Sequence, residues 1–323
     1  MSTLLIGDIG GTNARFALAR TSEPGFDKDL TLKCNDYESA DVAIRHYLDE
    51  VDATPPDVIC LAAAGPIVNR SVRFTNNHWV ISADVLAQGF GIERVRLLND
   101  FEAIAYSMPF IQQDDLLPIG LPLPAPLSKD TFTIGIVGPG TGLGSVGLKC
   151  VDGQYVPIPS ESSHGGFAPE TAVQIQILNV LRERFDRVST ERLVSGPGLE
   201  NVYWALTQIH DEQRLHKSPA DIFAAAIDNS DALAVEAVQV FFEVLGQFAG
   251  DFTMSLSTYD GVYIGGGIAQ RYPEIVVTSL FRTGFERKGR YRAQLERVPT
   301  QLIMYTQPGL LGAAYVAKTL FEA

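Results

Sequence analysis

Short apolar runs that end at glycine, proline or a polar pair recur in both halves of the chain and predict buried strands. These strands are expected at residues 4–8, 15–20, 58–64, 95–98, 131–137, 145–151 and 262–264. Between them, apolar residues at helical spacing predict helices at 37–51, 101–108, 170–186 and 198–209, a long helix ending near 257, and a last helix from 308. Strands that alternate with helices in both halves indicate an α/β protein.

Four glycine-rich turns interrupt this pattern, at residues 8–13, 138–144, 195–198 and 265–267. The first two each lie between two predicted strands, so both predict a β-hairpin, and the shared order of strand, turn and strand suggests a weak internal duplication. Backbone without side chains can approach a phosphate and point several N–H groups at it. Several such turns in one chain indicate a nucleotide held from more than one side.

Other nucleotide-binding patterns fit less well. Residues 142–147 formally match G-x-G-x-x-G, but a dinucleotide fold requires a helix after that turn, and residues 145–151 alternate like a strand. A nicotinamide oxidoreductase is therefore a disfavoured alternative. The sequence contains no Gly-Lys-Ser or Gly-Lys-Thr, which excludes a P-loop.

Length, charge and cysteine content narrow the class of protein. The 323 residues suffice for two domains, and the formal net charge of −13 argues against nucleic-acid and anionic membrane partners. Three scattered cysteines without C-x-x-C spacing argue against a zinc site or a disulfide framework and favour a reducing cytoplasm. The apolar stretch 232–256 is interrupted by Glu236, Glu243 and Asp251, which predicts a buried helix rather than a membrane span.

The candidate for chemistry is Asp100, which follows Asn99 at the end of a predicted strand. A carboxylate there can accept a proton from an attacking hydroxyl, although Asp is also a common N-cap for a helix that begins near Phe101. Asn99 can bind a sugar hydroxyl or simply form a turn, and Asn76 has the same two interpretations. Asp114, Asp115, Asp228 and Asp231 are interpreted as solvated surface charge.

Motifs in sequence order resemble one superfamily. The segments 8–13, 140–144 and 264–268 are similar to the two phosphate loops and the adenosine segment of the actin, heat-shock-protein and hexokinase superfamily, and 98–103 is similar to the catalytic segment of its sugar kinases. Further matches at 75–76, 161–164, 191–199 and 308–312 resemble the ATP-dependent, zinc-free bacterial glucokinase family. Where that family typically has Gly-Gly, this chain has Ser162-Ser163, which leaves the finer sugar preference open.

The resemblance implies a two-domain actin-like (ribonuclease H-like) ATPase fold with an interdomain cleft. The expected small domain comprises residues 1–108 and 308–323, and the large domain comprises 109–307. The expected linker lies in the Pro- and Leu-rich segment 109–128.

The resemblance also implies roles for individual residues. Asp100 is the expected general base, and the expected sugar-binding residues are Asn76, Asn99, Asp100, Glu161, His164 and Glu191. The residues expected to bind ATP are Asp8, Gly10, Gly11, Thr12, Asn13, Gly138, Gly140, Thr141, Gly142, Gly265, Gly266 and Gly267. Asp8 is expected to act on Mg²⁺ through water.

The expected function is therefore an ATP-dependent glucokinase that phosphorylates the 6-hydroxyl of glucose, giving glucose 6-phosphate and ADP. A catalytically silent sugar-sensing regulator of the same fold, and a kinase for another hexose, are the alternatives. The resemblance further implies a cytoplasmic homodimer whose partners are glucose and ATP.

Overall fold

The structure is a computed structural model that describes residues 2–74, 77–123, 125–212 and 215–322. Contacts within the chain divide it into two units, Met1–Gln113 with Tyr305–Ala323, and Asp114–Met304. The domain boundaries predicted from the sequence stay a prediction, because a unit defined by its contacts is not thereby shown to fold alone.

Strands occur in both units. In chain order they are β1 (Leu4–Ile9), β2 (Asn13–Ala19), β3 (Phe26–Lys33), β4 (Val58–Ala63), β5 (Ser71–Arg73), β6 (Val80–Ser82), β7 (Val95–Asn99), β8 (Leu116–Pro118), β9 (Thr131–Pro139), β10 (Leu143–Val151), β11 (Gln154–Ser160), β12 (Gly261–Ile264) and β13 (Thr300–Ile303).

The α-helices follow the same numbering. They are α1 (Ala40–Glu50), α2 (Ala83–Phe90), α3 (Asp100–Ser107), α4 (Ala172–Leu181), α5 (Gly196–Ile209), α6 (Pro219–Ile227), α7 (Ala232–Leu256), α8 (Gly267–Arg271), α9 (Pro273–Thr278), α10 (Phe281–Glu286), α11 (Arg292–Leu295) and α12 (Pro308–Glu322). Short 3₁₀ turns include Ser162–His164 and Thr190–Arg192.

The first unit is built on a five-stranded sheet in the order β3-β2-β1-β4-β7. Strands β1 and β2 form the predicted hairpin, with Ile9 opposite Ala14, and β1, β4 and β7 run parallel. Side chains alternate between the two faces of a strand, so Leu5 and Ile9 pack in one core cluster and Leu4 and Ile6 in the other. By the same alternation, Asp8 lies on the face of β1 that carries Leu4 and Ile6.

Helix α12 returns the end of the chain to the first unit. Its buried residues Leu310, Ala313 and Ala317 pack in the same cluster as Leu4 and Ile6. Gly312 allows a close approach to α3, since a Cβ at this position would overlap the Ala103 carbonyl oxygen. The carboxyl ends of β1 and β7, and the first turn of α3, thus belong to one packed layer.

The second unit repeats the arrangement of the first. Its sheet has the order β11-β10-β9-β12-β13-β8, in which β9, β10 and β11 pair antiparallel while β9, β12 and β13 run parallel. The order of strands and their directions match β3-β2-β1-β4-β7 in the first sheet. This match confirms the predicted duplication at the level of topology. The predicted linker is partly wrong, because β8 pairs with β13 as an edge strand of this sheet.

Helix α7 forms the centre of the second core. Phe241, Phe242, Phe248 and Phe252, which lie at helical spacing, are all buried. In the part of the chain that the structure describes, α7 is the one helix long and apolar enough to cross a membrane, but most of its apolar window is buried within the protein. It is the buried helix that the sequence predicts.

The interpretation of Asp231 as a solvated charge is wrong. Asp231 is buried and caps α7, because its Oδ1 accepts the N–H groups of Leu233 and Ala234. Its Oδ2 accepts hydrogen bonds from Tyr203 Oη at 2.7 Å and from Lys217 Nζ at 2.8 Å. Burial would raise the pKa of this carboxyl, but the bonds from Lys217 and Tyr203 outweigh burial and lower its pKa to about 2.

Candidate active site

The first glycine turn closes the hairpin between β1 and β2. The Gly10 N–H donates to the Asn13 carbonyl at 2.9 Å, and the Cys34 N–H supports the turn from the end of β3 by donating to the Thr12 carbonyl at 2.9 Å. Among the described residues, no protein acceptor takes the N–H of Gly11 or of Thr12. These two donors are therefore available to a phosphate.

Asp8 lies near the end of β1, just before this turn, and is partly buried. Burial raises the pKa of its carboxyl, and Arg15 opposes that rise. Helix α12 reaches the same carboxylate, since a Cβ on Gly309 would lie 2.9 Å from Asp8 Oδ2. Gly309 is therefore a functional neighbour of Asp8 that sequence reasoning did not single out; its position in the matched segment 308–312 is the available signal.

Helix α3 begins in a capping box. Asn99, not Asp100, is the N-cap: its Oδ1 accepts the Phe101 N–H at 2.9 Å, and Glu102 Oε2 accepts the Asn99 N–H at 3.3 Å. The Asn99 Nδ2 donates to the Gly65 carbonyl at 3.1 Å. The interpretation of Asp100 as the cap is thus corrected by one residue, and the cap fixes Asp100 in the first helical position.

The Asp100 side chain is partly buried. Burial raises its pKa to about 6, the negative charge of Asp8 adds to the rise, and the Phe101 N–H, which donates to Asp100 Oδ1 at 3.0 Å, opposes it. General bases work best when their pKa lies near the working pH. A carboxyl with this raised pKa is mostly ionised at neutral pH and still basic enough to take a proton in a transition state.

The second glycine turn closes the hairpin between β9 and β10. The Gly140 N–H donates to the Gly142 carbonyl at 2.8 Å, and the Gly140 carbonyl accepts the Gly196 N–H at 2.8 Å from the start of α5. In the described chain, the N–H groups of Thr141 and Gly142 have no protein acceptor. Like the first turn, the second therefore offers two adjacent backbone donors.

Glu161, His164 and Glu191 lie together in the second unit. The His164 Nε2 is 3.6 Å from Glu161 Oε2, and its Nδ1 is 3.7 Å from Glu191 Oε1. The Glu161 side chain is 75% exposed, His164 56% and Glu191 29%, so all three can meet a solute. A pair of carboxylates around an imidazole provides both acceptors and a donor for neighbouring sugar hydroxyls.

Ser162 and Ser163 lie in the short 3₁₀ turn that carries His164. Ser163 is buried, and Ser162 Oγ lies 3.2 Å from Ser145 Oγ on β10. The intervening 3₁₀ turn is closed by the His164 N–H, which donates to the Glu161 carbonyl at 3.0 Å. The two serines are thus part of the support of the turn, while Glu161 and His164 remain on its exposed side.

The glycines at 265–267 approach the second turn closely. Gly266 has a φ of +84°, and a Cβ there would lie 2.5 Å from the Pro139 carbonyl oxygen. The Gly265 N–H donates to the Val137 carbonyl at 2.8 Å. Gly267 begins α8, and a Cβ at this position would contact nothing within 4 Å. The predicted adenosine contact stays a prediction, whereas the requirement for glycine at 266 has a structural cause.

Within each unit, the predicted residues of that unit lie together. In the first unit Asp8, Asn99 and Asp100 lie at the carboxyl ends of β1 and β7, next to the turn at 10–13. In the second unit Glu161, His164 and Glu191 adjoin the turn at 138–142. Asn76 lies outside the described residues. Residue clusters that could hold a metal ion with three or more ligands are not found among the described residues.

Two sheets of one topology, each with a phosphate-type hairpin turn, define the actin-like fold class, to which the sugar kinases belong. Residues 5–320 match the family model for glucokinase. A glucokinase from Cronobacter sakazakii is 38% identical over 317 residues, which are 98% of this chain and 97% of that protein. The chain belongs to the glucokinase family.

Solved structures give the same result for the fold. The crystal structure of a glucokinase from an Antarctic psychrotroph has a TM-score of 0.88 and 30% identity, and the match covers 100% of both chains. A ROK-family glucokinase from Streptomyces griseus, solved in complex with glucose and AMPPNP, has a TM-score of 0.65 and 18% identity, and the match covers 98% of this chain and 100% of that one.

These comparisons confirm the predicted family, the actin-like fold class and an ATP-dependent glucose kinase as the enzyme class. They favour neither a sugar-sensing regulator nor a kinase for another hexose. The roles of the individual residues stay predictions.

Proposed function

We propose that this glucose kinase transfers the γ-phosphoryl group of ATP to the 6-hydroxyl of glucose, with Asp100 as the general base. The observation that carries the proposal is the carboxyl of Asp100 at the end of β7, held by a capping box and raised in pKa to about 6. A structural N-cap would have an ordinary or lowered pKa, because backbone N–H groups favour the ionised form.

In the proposed reaction, the 6-hydroxyl oxygen forms a bond to the γ-phosphorus, and the bond from that phosphorus to the β–γ bridging oxygen breaks. The hydroxyl proton moves to Asp100, and ADP leaves with the bridging oxygen. Asp100 Oδ1 already accepts the Phe101 N–H at 3.0 Å, so we assign the proton to Oδ2. Phosphoryl transfer of this kind depends mainly on positioning and on compensation of charge.

We assign the sugar hydroxyls to Asn99 in the first unit and to Glu161, His164 and Glu191 in the second. Carboxylates accept hydrogen bonds from sugar hydroxyls, and the imidazole between them can donate or accept. The distances of 3.6 and 3.7 Å from His164 to the two carboxylates support this group as one binding surface. Asn76 is also assigned to the sugar, on its resemblance alone.

We assign the ATP phosphates to the two hairpin turns. Gly11 and Thr12 in the first turn, and Thr141 and Gly142 in the second, have N–H groups without a protein acceptor among the described residues. Gly10, Asn13, Gly138 and Gly140 shape these turns, and the segment 265–267 is assigned to the adenosine.

Mg²⁺ is the expected companion of ATP, and the donor set fits it. Mg²⁺ is usually held by one or two carboxylates together with phosphates and several waters. Asp8 is a partly buried carboxyl with a raised pKa, so a nearby cation would stabilise its ionised form. When bound there, Mg²⁺ would offset the negative charge of the phosphates, and Asp8 would orient it through water.

We further propose a cytoplasmic homodimer without nucleic-acid or membrane partners. The net charge of −13 supports the absence of nucleic acid and anionic membrane surfaces, and three buried thiols suit a reducing compartment. The homodimer rests on the family resemblance alone.

The test is ADP release from Mg-ATP with glucose, mannose, fructose, N-acetylglucosamine or no sugar. Turnover with glucose well above the other arms is the expected result. Stronger turnover with another sugar would contradict glucose as the preferred acceptor. A folded chain that binds ATP and phosphorylates none of these sugars would contradict the proposed reaction.

A further inference from the structure

The carboxylate of Glu191 lies directly on the second glycine turn. Its Oε2 accepts the Leu143 N–H at 2.9 Å, and a Cβ on Gly142 would lie 2.6 Å from the same oxygen. Its other oxygen, Oε1, lies 3.7 Å from His164 Nδ1. One carboxylate therefore contacts both the turn assigned to phosphate and the imidazole assigned to sugar.

The backbone of Glu191 is held from the opposite side. Ser195 Oγ donates to the Glu191 carbonyl at 2.9 Å and accepts the Gly198 N–H at 2.9 Å. A Cβ on Gly198 would lie 2.9 Å from that carbonyl oxygen, so α5 also lies against it. Because the backbone of Glu191 is held in this way, a side chain on Gly142 would have to be accommodated by movement of the Glu191 carboxylate rather than of its backbone.

We propose that Gly142 is a positioning residue for the sugar: the absence of its side chain lets Glu191 keep the orientation that binds glucose. The proposal rests on the function proposed above. It differs from the assignment of Gly142 to phosphate alone, because it makes glucose affinity sensitive to a side chain in the nucleotide turn.

Gly140 provides a matched control in the same turn. A Cβ there would contact nothing within 4 Å, and both glycines have a φ outside the left-handed region, so alanine fits either backbone. The two alanine variants therefore differ in whether they meet Glu191. Each variant adds one methyl group beside the phosphate donors, so effects on ATP alone do not separate them.

The experiment is calorimetric titration of nucleotide-free protein with glucose, so that the role of the turn in ATP binding does not enter the measurement. We expect Gly142→Ala to weaken glucose binding by about tenfold to a hundredfold, the loss of one hydrogen bond to a charged group. Gly140→Ala should leave the glucose Kd within about twofold of wild type, a change below about half a kcal/mol.

A compensating variant separates positioning from general damage. Glu191→Asp shortens the side chain by one methylene, so in the Gly142→Ala background it should relieve the overlap. The double variant should bind glucose more tightly than expected from multiplying the fold-changes in Kd of the two single variants. A urea midpoint near that of wild type verifies that each variant is folded.

Two results distinguish the proposals. If wild type binds glucose and Gly142→Ala binds it equally well, or if the effects of the two substitutions simply multiply, Gly142 does not position Glu191. If folded wild type binds no glucose, the proposed function itself fails.

Discussion

Replacement of Asp100 by asparagine should stabilise the first unit while it removes turnover. Asn keeps an Oδ1 that can accept the Phe101 N–H, so the local hydrogen bond at 3.0 Å survives. It cannot take a proton from the sugar, and loss of a general base typically costs about a hundredfold to ten-thousandfold in rate. It also removes a partly buried negative charge that interacts unfavourably with Asp8.

The size of the stabilisation follows from the raised pKa. Asp100 has a pKa of about 6 in the folded chain, against about 3.9 for an unfolded aspartate. The folded chain therefore holds this proton more tightly, and ionised Asp100 destabilises the fold as pH rises from about 4 to 6. The difference of about two pKa units corresponds to roughly 3 kcal/mol at about pH 7.5, and about a third to half of it develops above about pH 5.

The assay is urea denaturation at pH 5 and pH 7.5, monitored by the fluorescence of Trp79, which is buried in the first unit. A Trp204→Phe background removes the second tryptophan. The gain in free energy of unfolding of Asp100→Asn over its parent should be larger at pH 7.5 than at pH 5 by roughly 1–1.5 kcal/mol. Asp36→Asn, a control at an exposed position of the same unit, should stay within about 0.5 kcal/mol of the parent at both pH values.

An advantage of the same size at both pH values, or destabilisation at pH 7.5, would refute the reasoning about Asp100. Retention of near-normal turnover by Asp100→Asn would refute its role as the base.

Further predictions concern pH and packing. The kcat/KM for glucose should fall as pH drops through about 6, since Asp100 must be ionised to act as the base. Asp8→Asn should shift this fall to lower pH, because it removes a negative charge that raises the pKa of Asp100. Asp231→Ala should destabilise the second unit by roughly 2–4 kcal/mol in urea titrations, through loss of a cap and of the hydrogen bonds from buried Tyr203 and partly buried Lys217; an unchanged midpoint would contradict this. Gly312→Ala should lower the stability reported by Trp79 by about 1–3 kcal/mol because its Cβ would overlap a carbonyl of α3. The helical control Gly89→Ala has room and should be neutral or stabilising.

Local sequence signals are sufficient to predict the two hairpins, and their recurrence indicates the duplication. The runs 4–8 and 131–137 are apolar and end at glycine turns, so strand and turn are both encoded within about ten residues. The parallel pairing of β1 with β4 and of β9 with β12 also gives the two sheets one order. Only the recurrence of strand, turn and strand is visible in the sequence.

Long-range contacts explain what the sequence does not reveal. Asp231 is misinterpreted because Tyr203 and Lys217, which bind its carboxylate, lie 28 and 14 residues away. The contact between Gly142 and Glu191 cannot be predicted from local sequence, because Glu191 lies 48 residues beyond Leu143. The cap of α3 is misplaced by one residue because Asn99 and Asp100 both favour that position.

The return of α12 to the first sheet has a consequence for biosynthesis. The first unit needs Leu310, Ala313 and Ala317 to complete the layer that contains Leu4 and Ile6. During translation, those residues leave the ribosome after Asp114–Met304, which is one uninterrupted segment. The layer that supports Asp8 and Asp100 can therefore close only after the whole second unit has been synthesised, so a nascent chain contains this acidic pair well before the packing that supports it is complete.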